Sequence, residues 1–143
     1  LREESMGFMK KLLGLKDLPP PNVVHITDDN FKAEVLKSTI PVLLDVWGPN
    51  CMPCKHLEPV ISRLSQEYAG RVKVAELNAS EARKTAQKLK VRGTPTVLYF
   101  YQGRVRERVV GFRAGHYHMD YLDNELLPLA EPKGPATDPA PAA

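Results

Sequence analysis

Apolar residues recur along the chain in two rhythms, and the alternation between them predicts the order of elements. Val23-Val24-His25-Ile26 is a short β-branched run and reads as a strand. Thr27-Asp28-Asp29 then supplies N-cap oxygens for a helix that buries Phe31, Val35 and Leu36. Val42 to Trp47 is apolar throughout except at Asp45, the pattern of a strand covered on both faces. From Met52 to Ala69, Leu57, Val60, Ile61, Leu64 and Tyr68 mark one helical face, with a kink expected at Pro59, which cannot donate to the Lys55 carbonyl. Residues 71–77 form another strand through Val72, Val74 and Leu77. Ser80 to Leu89 follows as a weakly amphipathic helix with Ser80 as its expected cap. Thr96–Tyr101 and Arg104–Val110 flank Gln102-Gly103, a hairpin signal, and a last helix runs from about Ala114 to Leu127. The order βαβαβαββα predicts an α/β domain: a mixed five-stranded sheet flanked by four helices.

Proline sets the limits of that domain. Pro19-Pro20-Pro21 is a stiff extended break, because each ring fixes φ and removes a donor. Five of the 13 prolines fall in residues 128–143, a Pro/Ala-rich stretch without the large apolar residues that offset ordering entropy. Three regions result: an arm over 1–22, a domain over 23–127 and a disordered tail over 128–143. In the arm, Phe8, Leu12 and Leu15 lie at i, i+4 and i+7 and predict a short helix. Met9-Lys10-Lys11-Leu12-Leu13 resembles the start of a secretory signal. However, Gly14, Lys16 and Asp17 interrupt the apolar run such a signal needs, so a cytoplasmic location is expected.

Composition narrows the function classes. The chain has 143 residues, is 43% hydrophobic and 26% charged, and carries a formal charge of +3. That is a globular balance, with no run near the ~20 apolar residues that span a bilayer. A charge of +3 is too small to argue for nucleic acid. No long heptad or spare apolar strand argues for an oligomer, so a monomer is expected. There is no Gly-rich phosphate loop, nucleophile elbow or H-E-x-x-H motif, so neither cofactor nor metal is expected.

The two cysteines carry the chemistry. In Leu43-Leu44-Asp45-Val46-Trp47-Gly48-Pro49-Asn50-Cys51-Met52-Pro53-Cys54-Lys55 a buried strand ends in a Gly-Pro turn, and Cys51 opens a helix. Orphan N–H groups and the positive end of the helix dipole favour an anion there, which lowers the pKa of a Cys51 thiol. Cys54 lies one turn on, near enough to close a disulfide. A c-type haem site requires histidine directly after the second cysteine, where Lys55 stands; His56 comes one residue late. A zinc site requires a second ligand pair, and His116 and His118 fall on different helix faces. A redox pair fits best, with an inert buried pair as the remaining alternative. Asp45 is the one acid in an apolar strand. Burial there raises its pKa toward neutrality, which suits proton transfer; a satisfied buried acid without a catalytic role is the other reading.

These features together resemble the thioredoxin family over about 105 residues. The resemblance rests on the Asp45 strand, Trp47, the Cys51–Cys54 pair with Pro53, Pro59, Arg92-Gly93-Thr94-Pro95-Thr96, Gly103 and Gly111. It implies the thioredoxin fold and an enzyme that reduces protein disulfides, with Cys51 as nucleophile, Cys54 as resolving cysteine and Asp45 in proton transfer. It also implies a cis Pro95 facing the cysteines and substrate contacts at Trp47, Pro53, Thr94, Pro95 and Gly111. Expected partners are disulfide-containing proteins and a thioredoxin-reductase-type electron donor. Pro53 favours a reductant, because oxidants and isomerases of the family more often carry histidine there. Two alternatives stand beside this reading: a disulfide oxidase or isomerase in an oxidising compartment, and a thioredoxin-fold interaction module.

Three positions depart from the family pattern. Asn50 replaces an aromatic and Met52 a glycine. Glu76 stands where similar proteins often carry lysine. Beside Asp45 it raises that acid's pKa further; pointing to solvent it changes little. His56 reads as an ordinary exposed residue. Arg104, Arg106 and Arg108 alternate and are expected to share one face of a charged edge strand.

Overall fold

The computed structural model describes residues 2–14 and 17–131. Five strands, β1 (Val24–Ile26), β2 (Val42–Trp47), β3 (Lys73–Asn78), β4 (Thr96–Tyr101) and β5 (Arg104–Val110), form one sheet in the order β1-β3-β2-β4-β5. β1, β3 and β2 pair in parallel, while β4 runs antiparallel to both β2 and β5. The sheet is therefore mixed, as the element order predicts. Helix α1 (Arg2–Leu12) precedes the domain. A short π-wound helix (Lys32–Leu36), α2 (Met52–Glu67) and α3 (Arg83–Lys88) connect the strands. The described residues end with α4 (Gly115–Tyr121), a π-wound segment (Leu122–Leu126) and α5 (Leu127–Ala130).

The strand alternation sorts side chains into two cores. Val42, Leu44 and Val46 of β2 join Ile26, Phe31, Val35, Ala86, Leu89, Leu98 and Phe100 on one side of the sheet. Leu43 joins Leu57, Ile61, Leu64, Tyr68, Val97, Tyr99, Leu122 and Leu126 on the other, beneath α2 and the C-terminal helical run. β2 is thus buried on both faces, which is why its sequence is apolar nearly throughout.

Local polar contacts fix the connections. Thr27 caps the first helical turn: its N–H donates to Asn30 Oδ1 at 2.7 Å, and its Oγ1 accepts from Asn30 N–H at 3.3 Å. Asp28 serves a different helix. Its Oδ1 accepts from the Thr85 N–H and hydroxyl at 2.8 and 2.7 Å, which satisfies an orphan donor in the first turn of α3. Ser80 is therefore not the cap of that helix. Its N–H and hydroxyl both donate to Asn78 Oδ1 within the preceding turn, and α3 begins only at Arg83. α2 continues unbroken through Pro59.

The β4–β5 turn has Gln102 at φ 51° and Gly103 at φ 74°, the left-handed pair of a two-residue hairpin. A side chain at Gly103 would meet the Leu36 carbonyl oxygen at 3.1 Å, so the turn also needs glycine for close approach.

β5 corrects the expectation for its arginines. A register shift beside Tyr99/Phe100 leaves Arg104 opposite Tyr101 and Arg108 opposite Leu98. Positions 98 and 101 face opposite ways, so the bulge places Arg104 and Arg108 on opposite faces. Arg108 donates to the Leu89 and Lys90 carbonyls at the end of α3, while Arg106 lies 5.8 Å from the centre of the Tyr101 ring.

The C-terminal helix extends to Ala130, past the expected end at Leu127, and Glu131 pairs with Arg71 at 3.0 Å. The tail proposed over 128–143 lies, from residue 132 on, outside the described residues, as does Leu15 of the expected arm face. Phe8 and Leu12 of that face are exposed on α1. Asn22 N–H donates to Ser65 Oγ and Gln66 Nε2 to the Pro19 carbonyl, which lays the end of the arm against α2.

One buried polar pair ties the last helix to the sheet. His118 is fully buried, and its Nδ1 is hydrogen-bonded to the Tyr99 hydroxyl. Burial pushes the imidazole down to about 4, against an upward pull from the Arg113 backbone. The unfolded chain takes the proton below the ordinary 6.5. The stability this group contributes is therefore complete above about pH 6.5 and is lost as pH falls toward 4. Tyr99→Phe leaves the buried Nδ1 without its hydrogen-bond partner and is expected to cost about 1–3 kcal/mol in urea unfolding at pH 7.

Candidate active site

The site is built where β2 ends. β2 delivers Asp45 and Trp47 to the α2 side of the sheet, and Gly48-Pro49-Asn50 turns the chain into α2. Asn50 sits at φ 55°, a left-handed conformation that asparagine tolerates better than most side chains. An Asn here therefore serves the turn as well as leaving the rim without an aromatic ring. A Cβ at Gly48 would lie 3.4 Å from Thr94 Oγ1, in ordinary contact, so the Thr94 loop lies directly against this turn.

Cys51 is the N-cap of α2, and its Sγ accepts from the Cys54 N–H at 3.3 Å. A helix N-terminus thus points a backbone donor at the first cysteine sulfur, an arrangement that favours a thiolate when the bond is open. Met52 and Pro53 occupy the first turn, where Pro53 forgoes an N–H that would be orphaned anyway. Cys51 and Cys54 form a disulfide with Cα atoms 5.3 Å apart. Cys54 is buried and Cys51 half-buried, an asymmetry that leaves Cys51 as the sulfur a large partner reaches. Met52 is 61% exposed beside it.

The Thr94–Pro95 bond is cis, and the Thr94 carbonyl oxygen lies 3.5 Å from Cys51 Sγ. Gly111, at φ 89°, donates its N–H to the Pro95 carbonyl at 2.8 Å. Its N–H is thus used in holding the Pro95 loop. His56 is exposed on the outer face of α2.

Asp45, Trp47, Cys51 and Cys54 line one cavity of about 540 Å³, together with Lys55, Glu58 and Glu76. Asp45 is 5% exposed, and its Oδ1 has no hydrogen-bond partner. Burial pushes its carboxyl up to about 7, and the nearby carboxylates of Glu76 and Glu58 add to the rise. Of the two readings of Glu76, the structure selects the one beside Asp45. Its Oε2 accepts from Trp47 Nε1, and its Oε1 contacts His25 Nδ1.

The structure therefore gathers Cys51, Cys54, Asp45 and Trp47 around one cavity, with the Thr94 carbonyl beside Cys51 and Gly111 bonded to the Pro95 carbonyl. Two neighbours were not singled out from the sequence. Glu58 lies one helical turn beyond Cys54 and is legible from that spacing alone. His25 comes from a strand two places away in the sheet, so only the strand order reveals it. Among the described residues no three His, Cys, Asp or Glu side chains are placed to hold a metal ion, and no helix is long and apolar enough to cross a membrane.

The comparisons with known proteins agree with this geometry. The thioredoxin family model matches residues 22–123. The chain is 48% identical over 84 residues to a thioredoxin of Thiocapsa roseopersicina, covering 59% of this chain and 92% of that protein. It is 46% identical over 103 residues to one of Allochromatium vinosum, covering 72% and 96%. It is 41% identical over 105 residues to one of Pseudomonas aeruginosa, covering 73% and 97%. With its Cys51–Cys54 disulfide at the start of α2 and a match over residues 22–123, the chain belongs to the thioredoxin family of thiol–disulfide oxidoreductases.

Proposed function

We propose that the protein works as a reductant of protein disulfides, with residues 23–127 as the working unit. The observation that carries this reading is the asymmetry of the pair. An accessible sulfur caps a helix, and a buried one shares a cavity with an acid poised near neutrality.

The Cys51 thiolate attacks one sulfur of a target disulfide. A mixed disulfide forms, and the target's other sulfur leaves as a thiolate and takes a proton from water. The Asp45 carboxylate accepts the proton of Cys54. Cys54 Sγ then attacks Cys51 Sγ, the mixed disulfide breaks, and the second target sulfur leaves. Two electrons have passed from the dithiol to the target, and the Cys51–Cys54 bond is closed. Trp47, Pro53, Thr94, Pro95 and Gly111 shape the surface on which an extended target segment lies, and the Thr94 carbonyl beside Cys51 supports that assignment. Resetting the oxidised enzyme requires a thioredoxin-reductase-type donor. The reading places the protein in a reducing cytoplasm as a monomer, contributing to electron transport and redox homeostasis.

The reduction potential tests the direction. Equilibration with defined dithiol buffers is expected to give a value of roughly −270 mV, that of thioredoxin. A value near about −120 mV, the range of strong oxidants, overturns the reductant assignment. With dithiothreitol as electron source and insulin as target, Cys51→Ser is expected to abolish reduction, and Cys54→Ser to accumulate the mixed disulfide on non-reducing gels. Binding of targets that survives both changes without turnover favours an interaction module instead.

Asp45 makes a second, separable prediction. Its folded pKa of about 7 lies above the ordinary 3.8, so the folded state holds the extra proton between those values. Stability from this group therefore falls as pH rises from about 4 to 7 and stays low above that. In Asp45→Asn the drop in unfolding free energy of the oxidised protein from pH 5 to pH 8 is expected to shrink by about 2–4 kcal/mol. The same change is expected to slow release of the reduced target at pH 7 on the order of 10²-fold in single-turnover measurements.

A further inference from the structure

Asp45, Glu76 and His25 are register partners on three adjacent parallel strands, β2, β3 and β1. Partners in register leave the sheet on the same face, so the three side chains form one row on the α2 side, running from buried Asp45 out to exposed His25. Glu76 is held at the middle of that row by two contacts of different kinds: the Trp47 indole N–H donates to Oε2, and His25 Nδ1 meets Oε1. The other ring nitrogen of His25, Nε2, lies 3.1 Å from Glu81 Oε1.

An imidazole between two carboxylates has a proton for each only when it is charged; the neutral ring turns a lone pair toward one of them. The geometry therefore favours the imidazolium. Hydrogen bonds to Glu76 first and Glu81 second hold the His25 pKa above its ordinary value. The charge on Glu76 is in turn felt by Asp45, which is buried and has an oxygen without a partner. The remaining charged groups around Asp45 come from α2, namely Glu58 and Lys55, with Cys51 and Cys54 uncharged while joined. β4 presents the apolar Val97 opposite Asp45.

We propose that His25, Glu76 and Asp45 act as one coupled row. In it the charge on His25 sets how strongly Glu76 opposes ionisation of Asp45, and so sets the pH window in which Asp45 takes the Cys54 proton. The last clause rests on the role proposed for Asp45 above. Glu76 and His25 are positioning residues: neither touches the reacting sulfurs. While His25 is protonated, the Glu76 charge is compensated and Asp45 ionises more readily. Once His25 loses its proton, Glu76 stands uncompensated and Asp45 holds its proton more tightly. The two titrations oppose each other, and Asp45 titrates over a wider pH span than an isolated acid.

The test is a carboxyl ¹³C NMR titration of Asp45 in the oxidised full-length chain, with Glu76→Gln and His25→Gln. Both substitutions cut the same His25–Glu76 ion pair, and Gln at 76 still offers the Trp47 indole an acceptor. The row predicts midpoints that move in opposite directions, down in Glu76→Gln and up in His25→Gln, each by about half a unit or more. A purely structural role lets water into the cavity in both variants and lowers both midpoints. Movement in the same direction, or an unmoved midpoint in either variant, overturns the proposal. The acid limb of single-turnover target release is then expected to follow the same shifts and to vanish in Asp45→Asn. Opposite NMR shifts with a limb that persists in Asp45→Asn overturn Asp45 as the proton acceptor and leave the coupling of the row intact.

Discussion

Water is excluded from both faces of β2, and the chemistry of the protein depends on that burial. One face packs against Ile26, Phe31 and Phe100, the other against Leu57, Ile61 and Leu64 of α2. Into the second face the strand carries a carboxyl, Asp45, which the low-dielectric surroundings hold partly protonated near neutral pH. The same packing seats α2 so that its first turn stands at the end of β2. The cysteines are consequently set beside the acid by the arrangement of the core itself. A strand exposed on one face would leave Asp45 solvated and ordinary.

The loops around the cysteines are shaped by close approach. The Thr94 loop lies against Gly48, Asn50 accepts a left-handed turn, and the Gly111 N–H holds the Pro95 carbonyl. The result leaves Cys51 half-buried and shields Cys54. The charge environment has a distinct character. Three acids, Asp45, Glu58 and Glu76, line the cavity with a single lysine, Lys55, and the histidine that compensates Glu76 sits on the far edge strand. Beside the buried aspartate the chain places an anion, and it holds a titratable cation one strand further away.

Much of this was legible from residue order. β2, β4 and β5 follow from their apolar runs and from Gln102-Gly103, because strand burial and hairpin turns are local demands on side-chain type and φ. The Cys51–Cys54 pair at a helix start is likewise local, since a three-residue spacing on a helix places both sulfurs on one turn. The buried position of Asp45 could be read from its apolar flanks alone. Even Glu58 was available, one turn past Cys54.

Contacts that join distant segments were not legible. Asp28 caps α3 across 57 residues, and nothing in Thr27-Asp28-Asp29 distinguishes that from capping the nearer helix. The bulge in β5 shifts the facing of its arginines by one position, and alternation in sequence cannot register an unpaired residue. The fate of Glu76 required the strand order β1-β3-β2, which brings positions 25, 76 and 45 into one row. The amino-acid sequence by itself determined which elements form and which residues hold the redox chemistry, because those depend on periodicity and short spacing. Only the tertiary structure decided which charges surround Asp45, because electrostatic neighbours are set by through-space distance between strands far apart along the chain.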